Sequence, residues 1–207
     1  MGEPSVASVP VDECGESLVP ADESFVLSSL KDGHDPFRSR IREGVGKRLI
    51  AAQDHLPAGL RICWVEGHRD PNLQELYFNQ YRARLTNLDP TLGEEDSYLL
   101  ASRYVSPPTI APHVSGAAID LTLCDLEGNE LDMGTPVNAT PEDSDGACYF
   151  GASVSAEARA NRTVLAKALE EVGLVNYPTE WWHWSYGDRY WAMTKGASAA
   201  IYGPLPD

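Results

Sequence analysis

The residues of this chain that are best suited to metal chemistry lie in two short stretches far apart in the sequence. His113 and Asp120 belong to the first stretch, and Glu180 and His183 belong to the second. On an unbroken helix His113 and Asp120 would stand ~10 Å apart, too far to hold one ion, but Gly116 between them permits a turn that brings them together. Two imidazoles, one carboxylate and a spare carboxylate are what a catalytic zinc site needs: three ligands, an open position for water, and a base.

These stretches resemble the motifs of a known peptidase family. The first resembles the S-x-H-x-x-G-x-A-x-D motif of zinc D-alanyl-D-alanine dipeptidases of the vancomycin-resistance type, which have the Hedgehog/D,D-peptidase fold. Four positions fit this motif: His113, Gly116, Ala118 and Asp120. Residues 180–183 match the family's E-W-W-H, and residues 66–71 look like its G-Y-R-P element. The likeness runs from about residue 37 to residue 191 and keeps the motifs in the family's order.

The resemblance implies a set of metal ligands and a general base. His113, Asp120 and His183 would hold one Zn(II) per chain, a ligand set that suits zinc's preference for nitrogen and oxygen. Glu180 would accept a proton from metal-activated water and return it to the leaving amine. Two alternatives stay open for Glu180, which are a fourth ligand or a partner of a ligating histidine.

The resemblance also implies a role for Arg69. Its guanidinium would stabilise the oxyanion of the tetrahedral intermediate or hold the substrate carboxylate. The alternative is a salt bridge with Glu66 or Asp70, without a role in the reaction.

Substrate recognition is where the chain departs from the dipeptidases. Their serine two positions before the first histidine ligand helps to hold the substrate carboxylate, and Ala111 stands at this position. In those enzymes an aspartate shortly after a Met-Gly pair holds the substrate ammonium, and the best match here is the neutral Asn138. Asp143 and Asp145 in the same loop are the alternatives, although their spacing does not match. We therefore expect weaker discrimination for a free amino terminus. Trp182 is a further candidate for the pocket wall, with packing in the core as its alternative.

Composition narrows the classes of partner. The chain has 207 residues, of which 43% are hydrophobic and 23% are charged, as in ordinary globular proteins. Its net charge of -15 disfavours binding to nucleic acids and to acidic membrane surfaces. The beginning of the sequence lacks the pattern of a secretory signal, so we expect a cytoplasmic protein. Its four cysteines have no paired spacing and are predicted to remain thiols, although two disulfides stay possible.

We expect an α+β fold of the Hedgehog/D,D-peptidase kind that the resemblance implies, in which a small antiparallel sheet carries helices on one side and has zinc at its edge. We expect a single domain over residues 1–207, with residues 1–22 as a loosely structured leader that contributes one edge strand. Apolar spacing predicts helices over residues 37–55, 72–85 and 156–172, and strands over residues 60–65, 119–123 and 180–192. The long segment 133–151, rich in Pro, Gly and acids, is predicted to be a functional loop.

The favoured function is hydrolysis of short D-amino-acid peptides such as D-Ala-D-Ala by a zinc metallopeptidase. The first alternative is a D,D- or L,D-carboxypeptidase that acts on peptidoglycan stem peptides. The second is a zinc-containing binding module without turnover, against which the presence of Glu180 speaks. The expected partner is a small peptide substrate, with no nucleic acid and no membrane, and the oligomeric state is left open.

Overall fold

The computed structural model describes residues 1–31 and 37–205. Within these ranges the helices are Pro4–Ala7 (α1), Glu43–Gln53 (α2), Pro71–Leu88 (α3), Glu94–Ala101 (α4), Ala156–Glu171 (α5) and Arg189–Lys195 (α6). The strands are Leu18–Pro20 (β1), Val26–Leu27 (β2), Arg40–Arg42 (β3), Leu60–Glu66 (β4), Ala118–Asp125 (β5), Val175–Asn176 (β6) and His183–Ser185 (β7). None of the helices in the described ranges is long and apolar enough to cross a membrane. The predicted domain, residues 1–207, includes residues 32–36 and 206–207, which lie outside the described residues, and its extent stays a prediction.

Five strands form the main sheet, in the order β2-β4-β5-β7-β6, and β1 pairs separately with β3. The pairs β4–β5, β5–β7 and β6–β7 are antiparallel, whereas the edge strand β2 runs parallel to β4. The α+β class with a small sheet is therefore confirmed, with one parallel pair that the periodicity did not indicate.

The main hydrophobic core lies between β5 and the helices α2 and α5. Alternate residues of β5 point into it, and its fully buried members include Val45, Leu49, Ile119, Leu121, Leu123, Leu165 and Leu169. Burial of one such side chain stabilises the fold by about 1.5–3 kcal/mol. Because successive strand residues face opposite sides of the sheet, this packing turns Asp120 to the other face. The packing of the core thus fixes the direction in which the Asp120 carboxylate points.

Helices α3 and α4 pack against each other in a second cluster of five buried residues: Phe78, Tyr81, Leu85, Ala101 and Val105. Helix α3 begins at Pro71, a residue suited to the first turn. Its N-cap is Asp70, whose carboxylate accepts hydrogen bonds from the backbone N–H of Asn72 (2.8 Å) and Leu73 (3.3 Å). This cap starts the helix directly after Arg69, so the position of Arg69 is tied to the rigid end of α3.

The segment 1–22 differs from the predicted loose leader, because much of it packs onto the fold. Strand β1 pairs with β3, and Val11 forms a bridge with Ala200. The guanidinium of Arg42, only 2% exposed, donates to the Glu13 carboxylate at 3.0 Å and to the Gly203 carbonyl at 3.0 Å. A buried cation needs such partners, and a leader rich in acidic residues supplies one of them.

Candidate active site

Three residues in register across the sheet form the floor of the site. Glu66 on β4 lies opposite Asp120 on β5, and Asp120 lies opposite His183 on β7. The register of β4 shifts between Trp64 and Glu66, and this irregularity brings Glu66 level with Asp120. Directly opposed residues of antiparallel strands have Cβ atoms ~4.5–5.5 Å apart. The sheet therefore places one candidate histidine ligand beside the candidate carboxylate ligand without help from any loop.

His113 joins this row through the turn that Gly116 was expected to make. Gly116 has a φ of +67°, and its N–H donates to the His113 carbonyl at 3.0 Å. The Nδ1 atom of His113 lies 2.6 Å from the carbonyl oxygen of Gly67. Since a carbonyl only accepts, Nδ1 carries the proton and Nε2 presents its lone pair to the site. A side chain at position 67 would collide with the Arg40 carbonyl, so the close approach of the backbone at residue 67 to the backbone at residue 40 requires glycine.

The three candidate ligand atoms converge on one point. His113 Nε2 is 3.2 Å from His183 Nδ1 and 3.3 Å from Asp120 Oδ1, and His183 Nδ1 is 3.0 Å from Asp120 Oδ1. Four ligands at ~2.0 Å from a tetrahedral zinc lie ~3.3 Å from one another. These residues form the candidate metal group found among the described residues. Their separations and donor types fit a tetrahedral metal with one position left open.

The electrostatics of the group also suit a metal. Burial lowers the pKa of His183, helped by the neighbouring His113, and this favours the neutral imidazole that ligates metals. Burial by itself raises the pKa of Asp120, but the two imidazoles beside it hold that pKa well below its usual range. The site thus favours an ionised carboxylate between two histidines.

Glu180 is brought to the site by a turn. The backbone N–H of His183 donates to the Glu180 carbonyl at 3.2 Å, which closes a turn over residues 180–183. Its carboxylate Oε2 lies 3.8 Å from His183 Nδ1, and the residue is 7% exposed. The predicted strand over residues 180–192 is wrong in this part. Only residues 183–185 form a strand, and the turn puts both side chains on one side.

Arg69 lies in the same cavity and also makes the salt bridge considered as its alternative. Its Nε and Nη2 atoms donate to the two Glu66 oxygens at 2.8 and 2.6 Å, and Nη1 donates to Gln74 Oε1 at 2.8 Å. Burial lowers the pKa of Arg69, but the Glu66 carboxylate outweighs this and holds it above its usual value. The two interpretations are therefore compatible, since Glu66 and Gln74 fix a permanently charged group at the wall of the site.

A cavity of about 370 Å³ opens from the candidate ligands. The eight residues that were assigned site roles from the sequence all line it: Arg69, Ala111, His113, Asp120, Asn138, Glu180, Trp182 and His183. Ala111 and Trp182 are buried, and Trp182 also belongs to the main core, so both of its predicted roles coexist. Asn138 is half-buried, and its φ of +65° places it in the left-handed region that asparagine tolerates.

The sequence did not identify the outer wall of the cavity. Helix α3 contributes Tyr77, Gln80, Tyr81 and Arg84, which recur at helical spacing on one face. Tyr77 and Tyr81 belong to the apolar spacing that predicts this helix, and aromatic residues at such spacing usually face the core, as Tyr81 does in part. Gln80 and Arg84 are polar and lie on the same helix face, and this feature of the sequence could have indicated that the face borders a groove.

Comparison with known proteins agrees with this geometry. Residues 84–197 match the family model of the D-Ala-D-Ala dipeptidases, peptidase family M15. A D-alanyl-D-alanine dipeptidase from Synechocystis is 28% identical over 220 aligned positions, which cover 89% of this chain and 87% of that protein. A D-alanyl-D-alanine dipeptidase from Escherichia coli K12 is 39% identical over 82 positions, which cover 39% of this chain and 41% of that protein.

The fold has a counterpart among solved structures. The LdcB LD-carboxypeptidase aligns with a TM-score of 0.50 and 18% identity, covering 89% of this chain and 75% of that one. At this identity the likeness concerns the fold, which the two proteins share. The family model spans more than half of the chain, including all three candidate metal ligands and Glu180, and so the chain is a peptidase that belongs to the D-Ala-D-Ala dipeptidase family.

Proposed function

We propose that this peptidase is a zinc enzyme that hydrolyses short D-amino-acid peptides of the D-Ala-D-Ala type. One observation carries the proposal, which is the convergence of His113 Nε2, Asp120 Oδ1 and His183 Nδ1 at separations of 3.0–3.3 Å. These three atoms would hold the metal, one ion per chain. When bound, zinc supplies a water of lowered pKa and polarises a carbonyl oxygen.

Glu180 is assigned as the general base. Its Oε2 atom, 3.8 Å from His183 Nδ1, lies close enough to the proposed centre to receive a proton from a water held there. In the second half of the reaction the same carboxyl group would return that proton to the leaving amine. Burial supports this role, because a proton held on a desolvated carboxyl group is shielded from exchange with bulk water.

Arg69 is assigned as the electrophile. The Glu66 carboxylate and the Gln74 amide hold its guanidinium from two sides, so the group is oriented before substrate arrives. A preorganised cation at the cavity wall would stabilise negative charge that develops on the scissile carbonyl oxygen. The substrate carboxylate is the second candidate for its partner.

Ala111, Trp182 and Asn138 are assigned to substrate binding. Ala111 offers a methyl group and no hydroxyl to the substrate, and Trp182 offers an apolar wall. Asn138 offers a neutral amide where a carboxylate would attract an ammonium group strongly. This wall supports binding of substrates whose amino terminus is blocked or extended, beside those with a free amine.

A D,D- or L,D-carboxypeptidase acting on stem peptides is the second candidate, and the length of the cavity favours it. The cavity is lined by α3 from Gln74 to Arg84, a rise of ~15 Å along the helix axis. This leaves room along the groove for residues beyond a dipeptide.

A panel of peptides offered to the zinc-loaded protein tests the proposal. The panel contains D-Ala-D-Ala, its L,L and mixed isomers, its N-acetyl form, and a stem pentapeptide ending in D-Ala-D-Ala. The proposal predicts that D-Ala-D-Ala is hydrolysed with release of D-alanine and that L-Ala-L-Ala is not hydrolysed. Faster cleavage of the pentapeptide would favour the carboxypeptidase, and no cleavage of any member would contradict both.

A further inference from the structure

We propose that Asn176 is a positioning residue of the active site, which sets the distance between the Glu180 carboxylate and the His183 imidazole. The inference rests on the proposed function of these two side chains. It arises from one side-chain amide on β6 that reaches the backbone of both residues.

Asn176 lies at the base of the hairpin whose loop carries Glu180. Strand β6 pairs with β7 so that Asn176 is opposite Trp184, and the backbone N–H of Tyr177 donates to the His183 carbonyl at 3.0 Å. The chain then leaves the ladder, turns through residues 178–182, and returns at His183. A carbonyl oxygen has two lone pairs, so a backbone carbonyl that already accepts one hydrogen bond can accept a second one from a side chain.

The Asn176 amide supplies such a second hydrogen bond at both ends of the turn, where the Glu180 carbonyl already accepts from the His183 N–H and the His183 carbonyl from the Tyr177 N–H. Its Nδ2 atom donates to the Glu180 carbonyl at 2.9 Å and to the His183 carbonyl at 3.0 Å, and lies 3.4 Å from the Trp181 carbonyl. An amide nitrogen has two N–H groups, which match the two shorter contacts. One rigid planar group therefore links the residue assigned as base to the residue assigned as metal ligand.

The middle of the turn is held by different parts of the chain. The Trp181 N–H donates to the Cys148 carbonyl at 3.0 Å, and the Trp182 carbonyl accepts from the Leu121 N–H at 3.2 Å. These bonds fix the two tryptophans against the core and the sheet. Without Asn176 the middle would stay in place, while the ends that carry the two functional side chains would lose a shared support.

This arrangement predicts a specific pattern of defects. Loss of the amide should displace the Glu180 carboxylate relative to the metal site, which lowers kcat, and should loosen His183, which weakens metal binding. Partners that orient a ligating side chain without touching the metal contribute ~10–100-fold to metal affinity or activity. An amide with a merely structural role would lower the melting temperature and leave both properties of the folded protein unchanged.

A double-mutant cycle with Glu180 separates these possibilities. The variants are Asn176→Ala, Glu180→Gln and the double substitution, with kcat for D-Ala-D-Ala measured at saturating zinc and well below each melting temperature. We expect Asn176→Ala to lower kcat about 10–100-fold in the natural protein, and less than about 3-fold in the Glu180→Gln background, because residues that act as a unit are not additive. Zinc affinity, measured by competition with a chelator, should fall about 10-fold or more.

Asn161→Ala is the matched control. The Asn161 side chain also donates to a backbone carbonyl, that of Asp132, at 2.8 Å on the surface of α5. Its removal should change neither kcat nor zinc affinity. If Asn176→Ala does not fold, Asn176→Ser, which keeps one donor, replaces it in the cycle and should show a smaller defect of the same kind.

Three outcomes are decisive. An equal fall in kcat in both backgrounds, or unchanged kcat and zinc affinity in the folded Asn176 variant, would overturn the positioning role. Full activity of Glu180→Gln would instead overturn the proposed function, and the two failures are thereby distinguished.

Discussion

The two ends of the active-site cavity are built differently. The inner end consists of His113, Asp120, Glu180 and His183, each between 3% and 7% exposed and held by strands or tight turns. The outer end is formed by one face of α3 and by the loop that contains Asn138. There the Arg84 side chain, 41% exposed, pairs with the 61% exposed side chain of Asp143 at 2.6 Å.

This difference separates the chemistry of the site from its selectivity. At the inner end, desolvation strengthens every charge interaction, and a small displacement of one atom changes the reaction geometry. At the outer end, water and salt screen the charges, and an exposed ion pair contributes only ~0–1 kcal/mol. Substitutions at the inner end should therefore abolish or strongly reduce turnover, whereas those at the outer end should shift preferences between substrates.

The largest effect is expected from the removal of a ligand. His113→Ala and His183→Ala should each reduce the zinc content from about one ion per chain to near zero and remove activity with it. Elemental analysis of the purified variants, beside circular dichroism to confirm folding, provides the measurement. Normal zinc content in both variants would contradict the assignment of His113 and His183 as metal ligands.

Glu180→Gln should have the next largest effect. The amide keeps the shape of the side chain but cannot accept a proton, so kcat should fall by ~10²–10⁴-fold while zinc remains bound. Zinc content and kcat are measured on the same preparation. Loss of the metal in this variant would make Glu180 a ligand and would refute its role as base.

Arg69→Lys should lower kcat by a smaller factor, about 10²-fold. This value is at the lower end of the range found when one oxyanion donor is removed. Lysine keeps the charge but cannot form the bidentate hydrogen bonds with the Glu66 carboxylate while also donating a hydrogen bond to Gln74. Arg84→Lys is the matched control from the outer end, where the same exchange should change kcat/KM by less than about 5-fold. Similar losses in both variants would remove the distinction between the two ends.

The smallest effect is expected at Asn138. Asn138→Asp places a carboxylate at the outer wall and should raise the preference for D-Ala-D-Ala over its N-acetyl form by up to ~5-fold, the range of an exposed ion pair. Aspartate tolerates the left-handed backbone found there, so the change adds little strain. Asn161→Asp serves as control. If the natural protein strictly requires the free amine and Asn138→Asp changes nothing, the position has been misassigned.

The inner end could be predicted from the sequence because each of its two motifs is local and because both resemble the motifs of a known family. A glycine between His113 and Asp120 indicates a turn, and the short spacing from Glu180 to His183 already places the two residues near each other. Only the kind of local structure was wrong at Glu180, where two tryptophans favoured a strand over the turn that the backbone adopts. Aromatic residues in a turn that packs on the core have the same sequence pattern as a buried strand.

The outer end could not be predicted because its partners meet only through the tertiary fold. Tyr81, for example, donates to the Glu142 carboxylate at 2.5 Å across a long sequence separation. Helical spacing identifies the face to which Tyr81 belongs, but whether a core or a groove lies opposite depends on where the loop folds back. The packing of residues 1–22 was predicted only as one edge strand for the same reason, since its partners include the distant Arg42 and Ala200.

A zinc titration tests the central claim most directly, namely that hydrolysis depends on one metal held by His113, Asp120 and His183. Protein freed of metal with a chelator is titrated with zinc while the release of D-alanine from D-Ala-D-Ala is measured. Activity should rise from zero in proportion to added zinc and level off at about one ion per chain, and His183→Ala should stay inactive throughout. Full activity without zinc, or a rise in the His183→Ala protein equal to that of the natural protein, would contradict it.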